Sequence, residues 1–139
     1  MTTIDISSIA GADAPTTYNE KGAGQSHVPA RFDLVDGKAM FAMAAVLHEG
    51  AEKYGANNWR GISIDDHLNH LIMHAYAYLS GDRSDAHLSH IMCRAMFAQA
   101  VNITETETKM AVMEHYDAQM ADFKVNHPGV LMDDVRGVS

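Results

Sequence analysis

Residues 63–102 read SIDDHLNHLIMHAYAYLSGDRSDAHLSHIMCRAMFAQAVN, and this stretch decides the fold. Apolar residues recur every three or four positions on both sides of Gly81, which is the spacing of amphipathic helices rather than strands. Ser63 is suited to cap a helix that we expect to end near residue 80. A second helix is expected from about residue 85 to about residue 102, so the stretch predicts a helical hairpin.

Helical spacing continues on both sides of this hairpin. Before it, the pattern predicts a helix over about residues 38–54, ended by Gly55. After it, Thr104 and Glu107 form a candidate capping box for a further helix that ends near Phe123. No segment alternates cleanly between polar and apolar residues. We therefore predict an all-α protein, a helical bundle of about four main helices.

The flanking segments are less regular and set the predicted domain limits. Residues 1–36 mix Gly, Pro, Thr and Ser with little periodicity, which favours an irregular N-terminal arm. Residues 37–123 form the predicted helical domain. Residues 124–139 contain Pro128 and Gly129 and are expected to form a mostly irregular tail.

Composition narrows the function classes. The chain has 139 residues, enough for one domain, and a formal net charge of −8. That charge argues against binding to nucleic acid or to an anionic membrane, both of which attract basic surfaces. A single cysteine excludes an internal disulfide. The N-terminus lacks the basic and apolar regions of a signal peptide, so a cytoplasmic protein is expected.

Two carboxylate pairs mark a candidate metal site. Glu49 and Glu52 are three residues apart on a predicted helix, so they project from one face. Asp82 and Asp85 repeat this spacing at the turn of the hairpin. Brought together across a bundle, the four carboxylates would form an oxygen-ligand site for Mg²⁺ or Mn²⁺. The alternative is that each pair belongs to a solvated helix face.

Histidines give a second interpretation, because six of the nine lie between residues 48 and 90. His70 and His74 are four residues apart, and His87 and His90 are three apart, so either pair could chelate zinc, copper or iron. Neither an HExxH nor an ExxH motif is present, which argues against a zincin and a ferritin-type di-iron site. A histidine on a mixed helix face is otherwise a packing residue.

Three blocks, in this order, resemble the family of phage and bacterial dATP/dGTP diphosphohydrolases, which are similar to the MazG-like all-α nucleotide pyrophosphohydrolases. They are Ala30–Leu34 (ARFDL), Gly50–Trp59 (GAEKYGANNW) and the segment from His74 through Gly81-Asp82 and Asp85 to His90. Within this relationship the chain is most similar to the MazZ-type phage enzymes, which supply precursors for 2-aminoadenine DNA.

The chain departs from the family pattern at several positions. Met73 stands where the family usually has Arg, and Asp82 replaces the usual Glu. His48 stands where the MazG pattern has a further carboxylate. The second half of the metal site is ambiguous: Asp82 and Asp85 fit by chemistry, whereas His87 and His90 fit by position. Hard cations prefer oxygen, so the aspartates are the first choice and the histidines the second.

The resemblance implies metal-dependent hydrolysis of purine (deoxy)nucleoside triphosphates to the monophosphate and pyrophosphate. It implies dGTP or GTP as substrate, with dATP as a further candidate, Mg²⁺ or Mn²⁺ as cofactor, and Glu49 and Glu52 as catalytic residues. If the chain is phage-encoded, it would act in the host cytoplasm and supply dGMP for modified-purine synthesis. The implied metal ligands are Glu49, Glu52, Asp82 and Asp85, with His87 and His90 as the second choice.

Five residues are the candidates for nucleotide binding: Asp33, Lys53, Asn58, Trp59 and His74. Asp33 is suited to accept hydrogen bonds from guanine, or alternatively to hold down the arm. Trp59 is suited to contact the base, or alternatively to anchor its loop on the core. The resemblance also implies a dimer or tetramer. Two other functions stay open: a non-catalytic helical oligomer that binds a nucleotide, and a histidine-based transition-metal protein.

Overall fold

The computed structural model describes residues 5–130, and the predicted tail beyond residue 130 lies outside them. The arm contains more local structure than its sequence suggested: helix α1 (Ile6–Ala10) and a hairpin of strands β1 (Thr16–Tyr18) and β2 (Gly24–Ser26). The strands pair antiparallel, with Thr17 opposite Gln25. Three-residue strands with both faces exposed carry no hydrophobic alternation, which is why the sequence pattern did not predict them.

Helix α2 (Gly37–Tyr54) confirms the predicted helix before the hairpin. The Asp36 carboxylate caps it by accepting a hydrogen bond from the backbone N–H of Ala39 at 2.8 Å. The helix ends at Gly55, whose φ of 93° is a conformation that side chains with a Cβ rarely adopt. A 3₁₀ turn (Asn58–Gly61) then leads into the next helix.

Helix α3 (Ile64–Leu79) begins where Ser63 accepts a hydrogen bond from the backbone N–H of Asp66. Helix α4 (His87–Asn126) follows after a short connection and is 40 residues long. The predicted helix boundary near Thr104 is therefore wrong. The Thr104 and Thr108 hydroxyls each donate to the backbone carbonyl four residues earlier, at 3.1 and 2.9 Å, instead of capping a new helix.

The chain divides into two compact units, with the first ending at Ala98 and the second beginning at Gln99. In the first unit α2 contacts α4 where the Cys93 thiol approaches the Met43 carbonyl at 3.5 Å. Helix α3 contacts α4 through His67 and Phe97, whose ring centroids are 5.3 Å apart. The all-α class is thus confirmed, and within residues 5–130 the only strands are the two short ones.

The interior of the first unit is unusually polar. Among its described residues, His67, His74 and His87 are buried, with exposed fractions of 0, 7 and 6%. Histidine is seldom buried completely unless its ring nitrogens have hydrogen-bond partners. These three side chains therefore mark the part of the unit that contains the candidate functional site. Within residues 5–130, no helix combines the length and apolarity needed to cross a membrane.

Candidate functional site

The turn between α3 and α4 holds a chain of hydrogen-bonded side chains. Nδ1 of His74 lies 2.9 Å from Nδ1 of His87, and Nε2 of His87 lies 2.6 Å from a carboxylate oxygen of Asp82. The turn is compact because Gly81 adopts a φ of 93° and the Asp82 carboxylate also accepts hydrogen bonds from Ser84. Local turn chemistry therefore places Asp82 against the first residue of α4.

The protons in this chain can be assigned from the hydrogen-bond partners. The hydrogen bond from His87, followed by those from Ser84, lowers the pKa of Asp82 to about 2, so Asp82 is ionised at neutral pH. An ionised carboxylate only accepts hydrogen bonds, so Nε2 of His87 carries a proton. Burial, followed by the charges of His90 and His87, lowers the pKa of His74 and favours its neutral form. Nδ1 of His74 and Nδ1 of His87 face each other, so one of them donates this hydrogen bond and the other accepts it.

Asp85 and His90 complete this junction. Nε2 of His90 lies 3.2 Å from a carboxylate oxygen of Asp85, and the His90 ring stacks on the His74 ring with centroids 4.6 Å apart. His74, Asp85 and His87 each offer one ligand atom, and these atoms all lie within 4.8 Å of one another. We call these three residues the donor cluster, because this grouping could hold a metal ion.

The donor cluster fits a metal by its chemistry. Asp82 orients His87 by accepting a hydrogen bond from Nε2, which leaves Nδ1 as the ligand atom. A cation there would replace the hydrogen bond between Nδ1 of His87 and Nδ1 of His74 and give the carboxylate–histidine–metal arrangement found in many proteins. Two imidazole nitrogens and one carboxylate oxygen suit Mn²⁺, Zn²⁺ or Fe²⁺, whereas Mg²⁺ prefers oxygen ligands.

An open groove of about 930 Å³ runs along the first unit beside the donor cluster. This volume lies at the upper end of the range for small-molecule sites, roughly 300–1,000 Å³. Two members of the donor cluster, His74 and Asp85, line the groove. The other acidic, basic and imidazole side chains that line it are Glu49, Asp66, Lys53, Arg94, His70 and His90.

The two predicted catalytic carboxylates of α2 lie in different surroundings. Glu49 lines the groove, so it shares that space with His74 and Asp85. Glu52 is absent from the groove wall and lies 3.3 Å from His48, with both side chains largely exposed. The structure thus places Glu49 in the same groove as His74 and Asp85, and pairs Glu52 with His48 instead. Their roles as catalytic residues and metal ligands stay predictions.

Four of the five predicted nucleotide-binding residues line the groove: Lys53, Asn58, Trp59 and His74, which is also a member of the donor cluster. Trp59 is also held by its neighbours. Its ring stacks on Phe97 with centroids 4.5 Å apart, and the Arg60 guanidinium lies 4.4 Å from the Trp59 centroid. These contacts favour the alternative in which Trp59 anchors its loop, while a contact with the base stays a prediction.

Asp33 lies away from the groove wall, in a 3₁₀ turn (Phe32–Leu34) of the arm. Both of its carboxylate oxygens accept hydrogen bonds from Arg31, at 2.8 and 2.7 Å. This hydrogen-bonded pair lowers the pKa of Asp33. To bind guanine, Asp33 would have to exchange Arg31 for the base, so its selecting role stays a prediction.

Sequence reasoning did not single out two residues of the groove region, His67 and Arg94. Nε2 of His67 lies 2.9 Å from the Trp59 carbonyl, and Nδ1 lies 3.1 Å from a guanidinium nitrogen of Arg94. One signal was available, because His67 and His74 are seven residues apart and therefore lie on one face of α3. No spacing rule indicated that Arg94, on another helix, would contact that face.

A family model described as dATP/dGTP diphosphohydrolase, N-terminal, matches residues 19–111, about two thirds of the chain. No curated protein and no solved structure shows significant similarity to the chain. The matched segment contains the donor cluster and the whole groove wall. The family's description supports a nucleotide hydrolase. The chain therefore belongs to the dATP/dGTP diphosphohydrolase family, whose N-terminal domain it matches.

Proposed function

We propose that this protein hydrolyses purine (deoxy)nucleoside triphosphates, with dGTP and GTP preferred over dATP, to the monophosphate and pyrophosphate. One observation carries the proposal: a single groove in the family-matched segment is lined by donor-cluster residues, two further carboxylates and two cations. This combination suits a substrate that carries several negative charges and reacts at phosphorus.

The reaction breaks the bond between the α- and β-phosphates and adds one water. A divalent metal, when bound, would polarise phosphate oxygens and lower the pKa of the attacking water. His74, Asp85 and His87 would hold it, and their donor set supports Mn²⁺ more strongly than Mg²⁺. Asp82 acts behind them by keeping His87 in the orientation and tautomer that a ligand needs.

The residues of α2 have complementary roles in this proposal. Glu49 lines the groove without an ion-pair partner among the described residues, so its carboxylate is available to accept the proton of the attacking water. Lys53 lines the same groove and would attract the phosphates as a mobile point charge. Glu52 has no assigned step here, because it pairs with His48 outside the groove wall.

Self-association is part of the proposal. Within residues 5–130, only Cys93, Ala98 and Val101 are buried apolar side chains. Large apolar side chains on the helices of the first unit remain exposed, including Phe41 at 82% and Leu79 at 79%. Exposed apolar surface of this kind supports a homo-oligomer. Sedimentation velocity should therefore show a dimer or tetramer, and a monomer at all concentrations would contradict this part of the proposal.

The test is a pyrophosphate-release assay with each of the eight common NTPs and dNTPs, in Mg²⁺, in Mn²⁺ and in EDTA. We expect turnover of purine triphosphates, formation of the monophosphate, stimulation by Mn²⁺ and loss of activity in EDTA. The assay also ranks dGTP, GTP and dATP. A dGTP preference would support the further proposal, based on the MazZ resemblance, that a phage-encoded enzyme supplies dGMP for modified-purine synthesis.

A second candidate function is favoured by the nitrogen-rich donor cluster itself. His74, Asp85 and His87 would also suit a transition-metal protein without hydrolase activity. That candidate predicts tight binding of Zn²⁺, Cu²⁺ or Fe²⁺ and no release of pyrophosphate from any triphosphate. The same assay, run on protein loaded with each metal, separates the two functions.

A further inference from the structure

His67 is completely buried at the beginning of α3, and both of its ring nitrogens have partners. Nε2 faces the Trp59 carbonyl oxygen, which can only accept a hydrogen bond, so this nitrogen carries a proton. Nδ1 faces the Arg94 guanidinium, which can only donate, so this nitrogen has a free lone pair. The two partners therefore define one neutral tautomer of His67.

Arg94 differs from an ordinary surface arginine in its surroundings. It is partly buried on α4 and lines the groove. Among residues 5–130, no carboxylate lies within 4.0 Å of its guanidinium. Its hydrogen-bond partner, His67, is neutral and leaves the guanidinium charge uncompensated. Partial burial of an unpaired charge is unfavourable unless a ligand of opposite charge binds it.

The position of Arg94 along α4 also suits a ligand in the groove. Arg94 follows His90 by four residues, so the two lie on one helix face. His90 contacts Asp85 and His74 at the donor cluster, and Phe97, three residues beyond Arg94, packs on Trp59. Arg94 is thus between the donor cluster and the Trp59 loop. The pKa of His70, another groove residue, is lowered first by burial and second by the positive charge of Arg94.

We propose that Arg94 binds the pyrophosphate portion of the triphosphate substrate, and that His67 is a positioning residue that aims the Arg94 guanidinium into the groove. A guanidinium presents several N–H donors in a rigid plane that matches phosphate oxygens. The bond to His67 uses one guanidinium nitrogen and restricts the side-chain rotamers, so less conformational entropy is lost on binding. This inference rests on the proposed function for the identity of its ligand.

The experiment uses inorganic pyrophosphate as the probe. Trp59 is the only tryptophan and lies beside His67, so its fluorescence reports binding without turnover. We expect Arg94→Ala to weaken pyrophosphate binding about 10- to 100-fold, as for a lost hydrogen bond to a charged group. The KM for dGTP should rise in parallel, while inhibition by dGMP stays unchanged. Arg94→Lys should recover only part of the loss, because it keeps the charge without the planar fork.

Two substitutions of His67 separate positioning from folding. In His67→Asn the amide oxygen replaces Nδ1 as the acceptor for Arg94, whereas in His67→Gln the amide N–H replaces Nε2 as the donor to Trp59. We expect His67→Gln to weaken pyrophosphate binding like Arg94→Lys, and His67→Asn to weaken it less. Circular dichroism confirms that each variant is folded. The matched control is Lys38→Ala, which removes the same positive charge as Arg94→Ala. Lys38 is exposed on α2 and is not part of the groove wall.

The outcomes distinguish this inference from the proposed function. Wild-type protein that binds pyrophosphate through Arg94 but hydrolyses no triphosphate would overturn the proposed function and leave the anion site standing. Active protein whose pyrophosphate binding is unchanged by Arg94→Ala would overturn the inference. A change in dGMP inhibition with pyrophosphate binding intact would also overturn it, because Arg94 would then contact the nucleoside. Pyrophosphate binding that is equal in His67→Gln and wild type would remove the positioning role.

Discussion

The two sides of the groove are organised differently. At the α3–α4 turn, His74, His87 and Asp82 form a chain of hydrogen bonds of 2.9 and 2.6 Å, and two of the three side chains are buried. On α2, Glu49 and Glu52 are exposed, and within residues 5–130 their one ion pair joins Glu52 to His48 on the surface. The turn is therefore held by hydrogen bonds before any ligand binds, whereas the exposed α2 carboxylates have no comparable network among the described residues. Because of this difference, we expect the largest effect of mutation at the turn.

The largest effect is expected at the pre-organised side. Asp85→Asn removes one ligand atom of the donor cluster and should lower kcat/KM by more than ~100-fold. This loss is larger than the usual effect of mutating a residue that only hydrogen-bonds to a metal ligand. Pyrophosphate release in Mn²⁺ measures it. Asp65→Asn, an exposed change of equal charge on α3, is the control. Near-normal activity of Asp85→Asn at low Mn²⁺ would exclude the turn from the active site.

The next largest effect is expected from one of the two carboxylates of α2, Glu49, and not from the other, Glu52. Glu49→Gln should lower kcat about 100-fold or more if Glu49 accepts the proton of the attacking water. Glu52→Gln should change kcat by less than about threefold, because an exposed pair with His48 contributes little. Single-turnover kinetics with dGTP would measure both. Equal, large losses would instead support the four-carboxylate site that the sequence predicts, with α2 closing onto the substrate.

A smaller effect is expected from Asp82, which supports a ligand without facing the groove. Asp82→Asn should weaken Mn²⁺ binding about 10- to 100-fold, since the variant no longer orients His87 with a charged acceptor. Activity should recover when Mn²⁺ is raised, unlike that of Asp85→Asn. Titration of Mn²⁺ by electron paramagnetic resonance gives the affinity directly. An activity loss that excess Mn²⁺ does not relieve would place Asp82 among the ligands.

The smallest expected effect is on the alkylation rate of Cys93, which reports how tightly α2 packs on α4. The Cys93 thiol is buried against the Met43 carbonyl, and burial raises the pKa of Cys93. A raised pKa means less thiolate at any given pH, so iodoacetamide should react roughly tenfold or more slowly with native protein than with protein in urea at pH 8. The native rate should rise only toward higher pH. A native rate equal to the rate in urea would show that α2 separates from α4 readily.

Much of the fold could be predicted because it depends on local chemistry. Apolar spacing, the Ser63 cap and the stop at Gly55 act within a few residues, and they correctly located α2 and α3. The boundary predicted near Thr104 failed because a capping box competes with helix continuation. Here the Thr104 hydroxyl bonds the carbonyl of the preceding turn, and no local rule decides between these two options.

For the candidate site, the residue types could be predicted from the sequence, but their contacts could not. The sequence by itself determined the residue types, the family resemblance and the grouping of acids and histidines near the turn, because these are properties of composition and spacing. Only the tertiary structure decided that His74 meets His87, that Glu49 lines the groove while Glu52 does not, and that His67 contacts Arg94. Contacts between different helices depend on how those helices pack, and a helical period records which residues share a face without recording what that face meets.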